Sequence, residues 1–203
     1  MINKDIIYKE DYLYPVNIHL NLTDDCNLRC KYCFVHHKPN YMSLDVALKA
    51  ADWLYENYLY HKEHNTLLKY AEDGKCNIWF FGGEPMLCYE NIIKPVIEYC
   101  NKKYPLIFNY GITTNGTLLN KERIDFLKKN NFSILFSIDG PPEVQNYSRP
   151  CKDPNIKSFD LIAKNLPYLL EQFPNLPFRQ TINLDTVEHL YDGYKYAEEL
   201  GFK

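Results

Sequence analysis

A chain of 203 residues carries 46% apolar and 24% charged side chains and a formal net charge of −3 at pH 7. That length supports one sizeable core or two small ones, and the composition excludes a disordered chain. The charge gives no basic field, so nucleic acid is not an expected partner, and no apolar run approaches the roughly 18 residues of a membrane span.

Residues 1–15, MINKDIIYKEDYLYP, are read as an N-terminal extension to one domain over 16–203. They lack the charged n-region, apolar h-region and small-residue cleavage site of a signal peptide, so the expected location is cytoplasmic. In a reducing compartment, seven cysteines are metal ligands or buried apolar groups rather than a disulfide framework.

β-Rich runs then alternate with amphipathic ones. The first strand is predicted over Val16 to Leu22, and Ser43 is a candidate N-cap for a helix running to Tyr60. In that helix Leu44, Ala47, Leu48, Ala51, Leu54, Tyr55 and Tyr58 recur at helical period. The polar segment Tyr60 to Cys76 reads as a surface insertion, with His61 and His64 on the surface. A second strand, Asn77 to Phe81, runs into Gly82-Gly83-Glu84-Pro85. A helix over Asn91 to Lys103 follows, with Pro95 required in its first turn.

A third strand, Leu106 to Thr113, ends in Thr114-Asn115-Gly116, and Asn120 caps the next helix. The fourth strand, Phe132 to Ile138, ends in Asp139-Gly140-Pro141-Pro142. A helix from about Ile156 to Gln172 is expected to kink at Pro167. The fifth strand is Phe178 to Asn183, and the last helix starts near Thr186 and closes at Gly201. His189, within it, reads as surface.

Such alternation implies an α/β fold with parallel strands and right-handed crossovers, either a doubly wound sheet or a partial β/α barrel. In both, functional groups gather at the C-terminal ends of strands. The four unusual clusters of this sequence all fall there.

The first cluster is NLTDDCNLRCKYCF, in which Cys26, Cys30 and Cys33 are spaced C-x3-C-x2-C. Three thiolates in one loop can converge on a soft metal centre. A structural zinc site would need a fourth ligand, for which His36 and His37 are the nearby candidates. An iron–sulfur cube held by three cysteines would instead leave one iron open to a substrate or cofactor. Of the other cysteines, Cys76, Cys88, Cys100 and Cys151 share no ligand spacing and read as buried thiols.

The cysteine loop, with Tyr32 just before its last cysteine, resembles the signature of the radical S-adenosylmethionine (radical SAM) enzymes. Gly82-Gly83-Glu84-Pro85 resembles that superfamily's GGEP motif. TTNGTLL (Thr113 to Leu119) and SIDGPPEVQNYSR (Ser137 to Arg149) resemble its next two segments. The combination is most similar to the branch of anaerobic sulfatase-maturating enzymes and ribosomal-peptide maturases.

The resemblance implies that Cys26, Cys30 and Cys33 bind a [4Fe–4S] cluster and that S-adenosylmethionine chelates the open iron. The reduced cluster, fed by an external electron donor, would cleave the sulfonium to a 5′-deoxyadenosyl radical that abstracts a substrate hydrogen. Gly82 and Gly83 would let main-chain groups meet the methionyl amine, with Glu84 as a further acceptor. Asn115 and Ser137 suit ribose hydroxyls, Arg149 the methionyl carboxylate, and Tyr32 the adenine, mostly through its backbone. The substrate implied is a peptide or protein side chain. A small-molecule reaction of cofactor biosynthesis and a non-catalytic cluster- or peptide-binding module are the alternatives. No residue is assigned as a catalytic acid or base.

The implied fold is a partial (β/α)6 TIM-like barrel of radical SAM type. Relatives of this branch continue into a sixth strand and usually a cysteine-rich C-terminal domain with auxiliary clusters. This sequence is read as stopping after the fifth β/α unit, either as a fragment of a longer enzyme or as a truncated chain whose open barrel edge a partner chain covers.

Overall fold

The computed structural model describes residues 14–71 and 73–203, so most of the expected N-terminal extension lies outside the described residues. Five parallel strands make one sheet in the order β1-β2-β3-β4-β5. They are β1 (Asn17–Asn21), β2 (Cys76–Phe81), β3 (Phe108–Thr114), β4 (Ser133–Ser137) and β5 (Phe178–Arg179). A doubly wound sheet reverses its strand order at a switch point; this sheet advances in one direction, which is the winding of a partial barrel.

Register places Leu20 beside Phe80, Phe80 beside Ile112 and Ile112 beside Ile134, one apolar row across four strands. All four are buried. Helices cover this row on the outer face. The first, α1 (Leu44–Glu63), buries Ala47, Ala51 and Leu54 at helical spacing, and Ser43 caps it by accepting from the Val46 amide at 3.3 Å. Ile97 and Cys100 come from α3 (Lys94–Lys103), and Ile124 and Leu127 from α4 (Lys121–Lys129). The final helix ends as expected at Gly201, whose φ of 102° is the left-handed conformation a C-terminal cap favours. Among the described residues, no helix is long and apolar enough to cross a membrane.

Several elements depart from the sequence expectation. His61 is not on the surface: α1 continues past Tyr60, and His61 is fully buried between Thr66 Oγ1 at 2.7 Å and the Tyr14 carbonyl at 2.6 Å. With both ring nitrogens bonded, the imidazole is a structural cross-link and needs no solvent. The supposed insertion also carries a short helix, α2 (Leu67–Tyr70). A tight turn (Pro85–Cys88) and a wider π turn (Tyr89–Ile93) lead directly into α3, which places Pro95 in its first turn.

Pro142 opens a helix the sequence did not suggest, α5 (Pro142–Ser148), because Gly140-Pro141-Pro142 reads as a plain turn. The expected helix over 156–172 is two, α6 (Ser158–Ala163) and α7 (Leu166–Gln172). Pro167 sits in the first turn of the second rather than at a kink. The fifth strand stops after two residues because the chain beyond it turns to bond Asp139: Thr181 N–H meets its carboxylate at 3.0 Å and Gln180 Nε2 its carbonyl at 2.9 Å. The last helix, α8 (Leu190–Leu200), starts after a short turn at Val187–His189.

Asp52 joins α1 to α3. It accepts from Tyr104 at 2.7 Å, Tyr99 at 2.7 Å and Lys103 at 3.1 Å. Burial pushes its pKa up, but the three donors outweigh that, and the net position is below the usual 3.8. A carboxylate held low stabilises the fold above its unfolded pKa and loses that contribution as pH falls through the folded value. Asp52→Ala is therefore expected to lower unfolding stability by about 1 kcal/mol at pH 7, since the site is part-exposed. The gap to wild type should close below about pH 4 in urea titrations. An undiminished gap at pH 3 would contradict this account.

Candidate active site

The C-terminal ends of the strands surround one open cavity of about 870 Å³, mouth included. Its lining includes Cys26, Cys30, Tyr32, Cys33, Gly82, Gly83, Glu84, Asn115, Ser137 and Arg149, so every residue singled out in the sequence motifs reaches the same space. Phe34, His37, Thr113, Arg179 and Thr181 are there as well.

The cysteine loop is anchored from below by backbone. Gly83 N–H donates to the Thr23 carbonyl at 2.7 Å and Glu84 N–H to that of Asp25 at 3.0 Å. A Cβ on Gly83 would lie 2.2 Å from Asp25 O, inside any tolerable contact. Gly82 has φ +144° and a Cβ there would meet Thr23 O at 2.5 Å. The closest approach these glycines permit is thus to the loop's own main chain. On its other side the loop pairs with the segment after α5: Arg29 N–H to Pro150 O at 2.7 Å and Lys31 N–H to Ser148 O at 3.0 Å. Cys151 packs there beside Cys26 and Leu28 as a buried thiol.

Polar motif side chains are mostly turned inward. Glu84 is fully buried, and its carboxylate accepts from Met86 N–H at 3.0 Å, Thr114 Oγ1 at 2.8 Å and Asn115 N–H at 2.8 Å. It therefore ties the end of β2 to the end of β3. Burial pushes its pKa up, against the donors' opposing pull. The Asn115 amide is also engaged by protein groups, bonding Thr117, Asn27 and Cys26. The Ser137 hydroxyl, in contrast, lines the cavity with no hydrogen-bond partner among the described residues.

Asp139 was not singled out by the sequence, yet it organises this end of the sheet. Its buried carboxylate accepts from Arg149 Nη2 at 2.9 Å, from the Thr181 amide and from the Tyr32 hydroxyl. Arg149 Nε lies 2.9 Å from Oδ2, an ion-pair contact bent out of hydrogen-bond geometry. The same guanidinium sits 5.4 Å above the Tyr32 ring. Tyr32, expected to act through its backbone, thus also locks its side chain, and burial raises its phenol pKa. Only the SIDG motif itself carried a sequence signal for Asp139. Arg179 and Thr181 had none, because β5 gave no motif.

Burial pushes the Cys26 thiol up to about 12 and Cys30 up to about 11. As thiolates the sulfurs repel one another, while the Arg149 guanidinium favours the Cys30 thiolate.

Residues 20–203 match the sequence pattern of the radical SAM superfamily. The chain belongs to that superfamily. Radical SAM enzymes use a [4Fe–4S] cluster and S-adenosylmethionine. A cysteine-type anaerobic sulfatase-maturating enzyme of Clostridium novyi is 30% identical over 187 residues, covering 89% of this chain and 47% of that protein. The radical SAM cyclopropyl synthase TigE of Paramaledivibacter caminithermalis is 28% identical and matches 85% of this chain and 36% of its own length. The solved structure of native anSMEcpe with bound AdoMet and the Kp18Cys peptide superposes with a TM-score of 0.71 at 25% identity, covering 93% of this chain and 49% of that one. The chain spans about half or less of the length of these relatives. Its parallel five-stranded sheet is the partial TIM-barrel fold of the radical SAM family.

The two metal centres that the cysteine spacing left open ask for different donor sets. Among the described residues, no three cysteine, histidine or carboxylate side chains converge on a single ion. A zinc site closed by His36 or His37 would need four donors around one metal; His36 is exposed, whereas His37 lines the cavity and its buried Nδ1 has no partner. A cluster asks for a wider triangle, because each thiolate binds a different iron. Three soft sulfurs beside one open cavity fit that group.

Asp139→Ala would leave the Arg149 guanidinium buried without its counter-charge. It is expected to destabilise the apoprotein by about 3–5 kcal/mol in chemical denaturation. Gly83→Ala, forced against Asp25 O, is expected to cost about 1–3 kcal/mol in the same measurement. Wild-type midpoints in these variants would refute the packing described.

Proposed function

We propose that this chain forms the cofactor-binding part of a radical SAM enzyme that modifies a peptide or protein side chain. The observation that supports it best is the convergence of Cys26, Cys30 and Cys33 with the GGEP turn and three further strand ends on one cavity. Cys26, Cys30 and Cys33 would hold the [4Fe–4S] cluster. Bound there, the cluster and S-adenosylmethionine supply reductive cleavage of the sulfonium and a 5′-deoxyadenosyl radical, with the electron coming from an external donor.

The chain's own residues bind and orient. The main chain at Gly82 and Gly83 borders the cavity and would meet the methionyl amine. Glu84 fixes that turn from behind rather than offering a free carboxylate. Arg149 keeps Nη1 for the methionyl carboxylate while Nη2 and Nε are held by Asp139. The free Ser137 hydroxyl would take a ribose hydroxyl, and the Tyr32 ring would border the adenine. Phe34, 79% exposed at the rim, is placed to shield the cavity or contact substrate. None of these groups is poised as a substrate acid or base. The sulfatase-maturating and cyclopropyl-synthase names of the relatives, and the peptide bound to anSMEcpe, support the peptide class.

The test is anaerobic iron–sulfur reconstitution followed by assay for 5′-deoxyadenosine under reducing conditions. Wild type should show cluster absorbance and release 5′-deoxyadenosine, more so with a cysteine-bearing peptide. Cys26→Ala, Cys30→Ala and Cys33→Ala should each reduce release to background. Turnover surviving in all three would exclude the assignment.

A further inference from the structure

Asn115 follows β3 with a carboxamide whose two ends are distinguishable. Its Oδ1 accepts from the Thr117 backbone N–H at 3.0 Å and from the Thr117 hydroxyl at 2.6 Å. A backbone N–H can only donate, so the oxygen must face it and the amide nitrogen is turned the opposite way. On that side Nδ2 meets Cys26 Sγ at 3.7 Å and Asn27 Oδ1 at 3.1 Å. Asn27 Nδ2 then closes a ring of hydrogen bonds on Thr117 Oγ1 at 2.7 Å. Asn115 and Thr117 are buried, so the ring is shielded from competing water.

Cys26 differs from its two partners in this. Its sulfur also accepts from the Leu28 amide at 3.4 Å, and it is the buried member of the three, with Cys30 and Cys33 partly exposed. Neither of those receives a side-chain donor among the described residues. The motif asparagine thus directs its donor at one particular sulfur.

We propose that Asn115 is a positioning residue for the cluster, and that its Nδ2–H···S bond to Cys26 raises the cluster's reduction potential. The proposal rests on the reading that these thiols hold an iron–sulfur cluster. A donor aimed at a ligand sulfur stabilises the extra negative charge of the reduced state more than the oxidised one. Thr117 and Asn27 hold the donor's orientation, so it needs no rearrangement when the charge arrives.

The experiment is potentiometric titration of the reconstituted protein, followed by electron paramagnetic resonance. Asn115→Ala removes the donor without adding charge. At a fixed ambient potential near the midpoint, its reduced-to-oxidised ratio is expected to fall roughly three- to tenfold, where tenfold corresponds to about 59 mV for one electron. Asn115→Asp keeps both acceptor bonds to Thr117 but turns an oxygen to the sulfur, and should fall further. The exchangeable deuteron of the Asn115 amide coupled to the reduced cluster in wild type should be missing in both, while that of the Leu28 amide remains. If Asn115→Ala does not load, Thr117→Val, which leaves the amide but removes its hydroxyl anchor, should shift the same way by less. Loaded variants that titrate at the wild-type potential would overturn the proposal. A wild type that takes up no cluster would instead overturn the reading of the thiols.

Discussion

The buried carboxylate of Asp139 is the point on which this end of the molecule depends. It sits just past β4 and draws donors from three separate segments: Tyr32 of the cysteine loop, Arg149 after α5 and the Thr181 amide after β5. Desolvating a carboxylate and a guanidinium together is costly unless the remaining donors and acceptors are filled. Here the phenol and the amide fill them. The cysteine loop is therefore held to the sheet by a charge that has nowhere else to go, in addition to the backbone contacts of Gly83 and Glu84 on its other flank.

A division of labour follows from that arrangement. Glu84, Asn115 and Asp139 are polar residues of three motifs, and all three are buried with their side chains bonded to protein groups. They tie strand ends to one another and to the cysteine loop. What faces the cavity is mostly main chain, thiols and a few side chains with unused capacity, among them Ser137 and part of Arg149. An acid in such a motif is thus as much a spacer between strands as a ligand.

Much of this was legible in the sequence because it depends on local pattern. Helical spacing in α1, the Ser43 and Asn120 caps and the Gly201 terminus are short-range signals, and the structure contains each of them. The three cysteines and the strand-end motifs were likewise contiguous enough to read. His61 was misplaced because α1 runs past Tyr60 and because one of its partners, Tyr14, is 47 residues away and is brought to it by the fold. Asp139 went unassigned for the same reason, since Tyr32 lies 107 residues away in sequence. The direction in which Asn115 points depends on which neighbour offers a fixed donor, which no motif encodes.

The progressive strand order explains why contributions so distant in sequence meet. In a sheet that advances from β1 to β5 without reversal, every crossover returns the chain to the same end, and each strand adds its terminal residues to a common rim. The cysteine loop after β1 can then reach the tails of β2, β3 and β4 at once, by Gly83, Asn115 and Asp139 respectively. A reversed order would place half of these strand ends across a crevice from the thiols. The geometry that gathers the thiols is the same one that allows a second layer of buried polar groups to brace them.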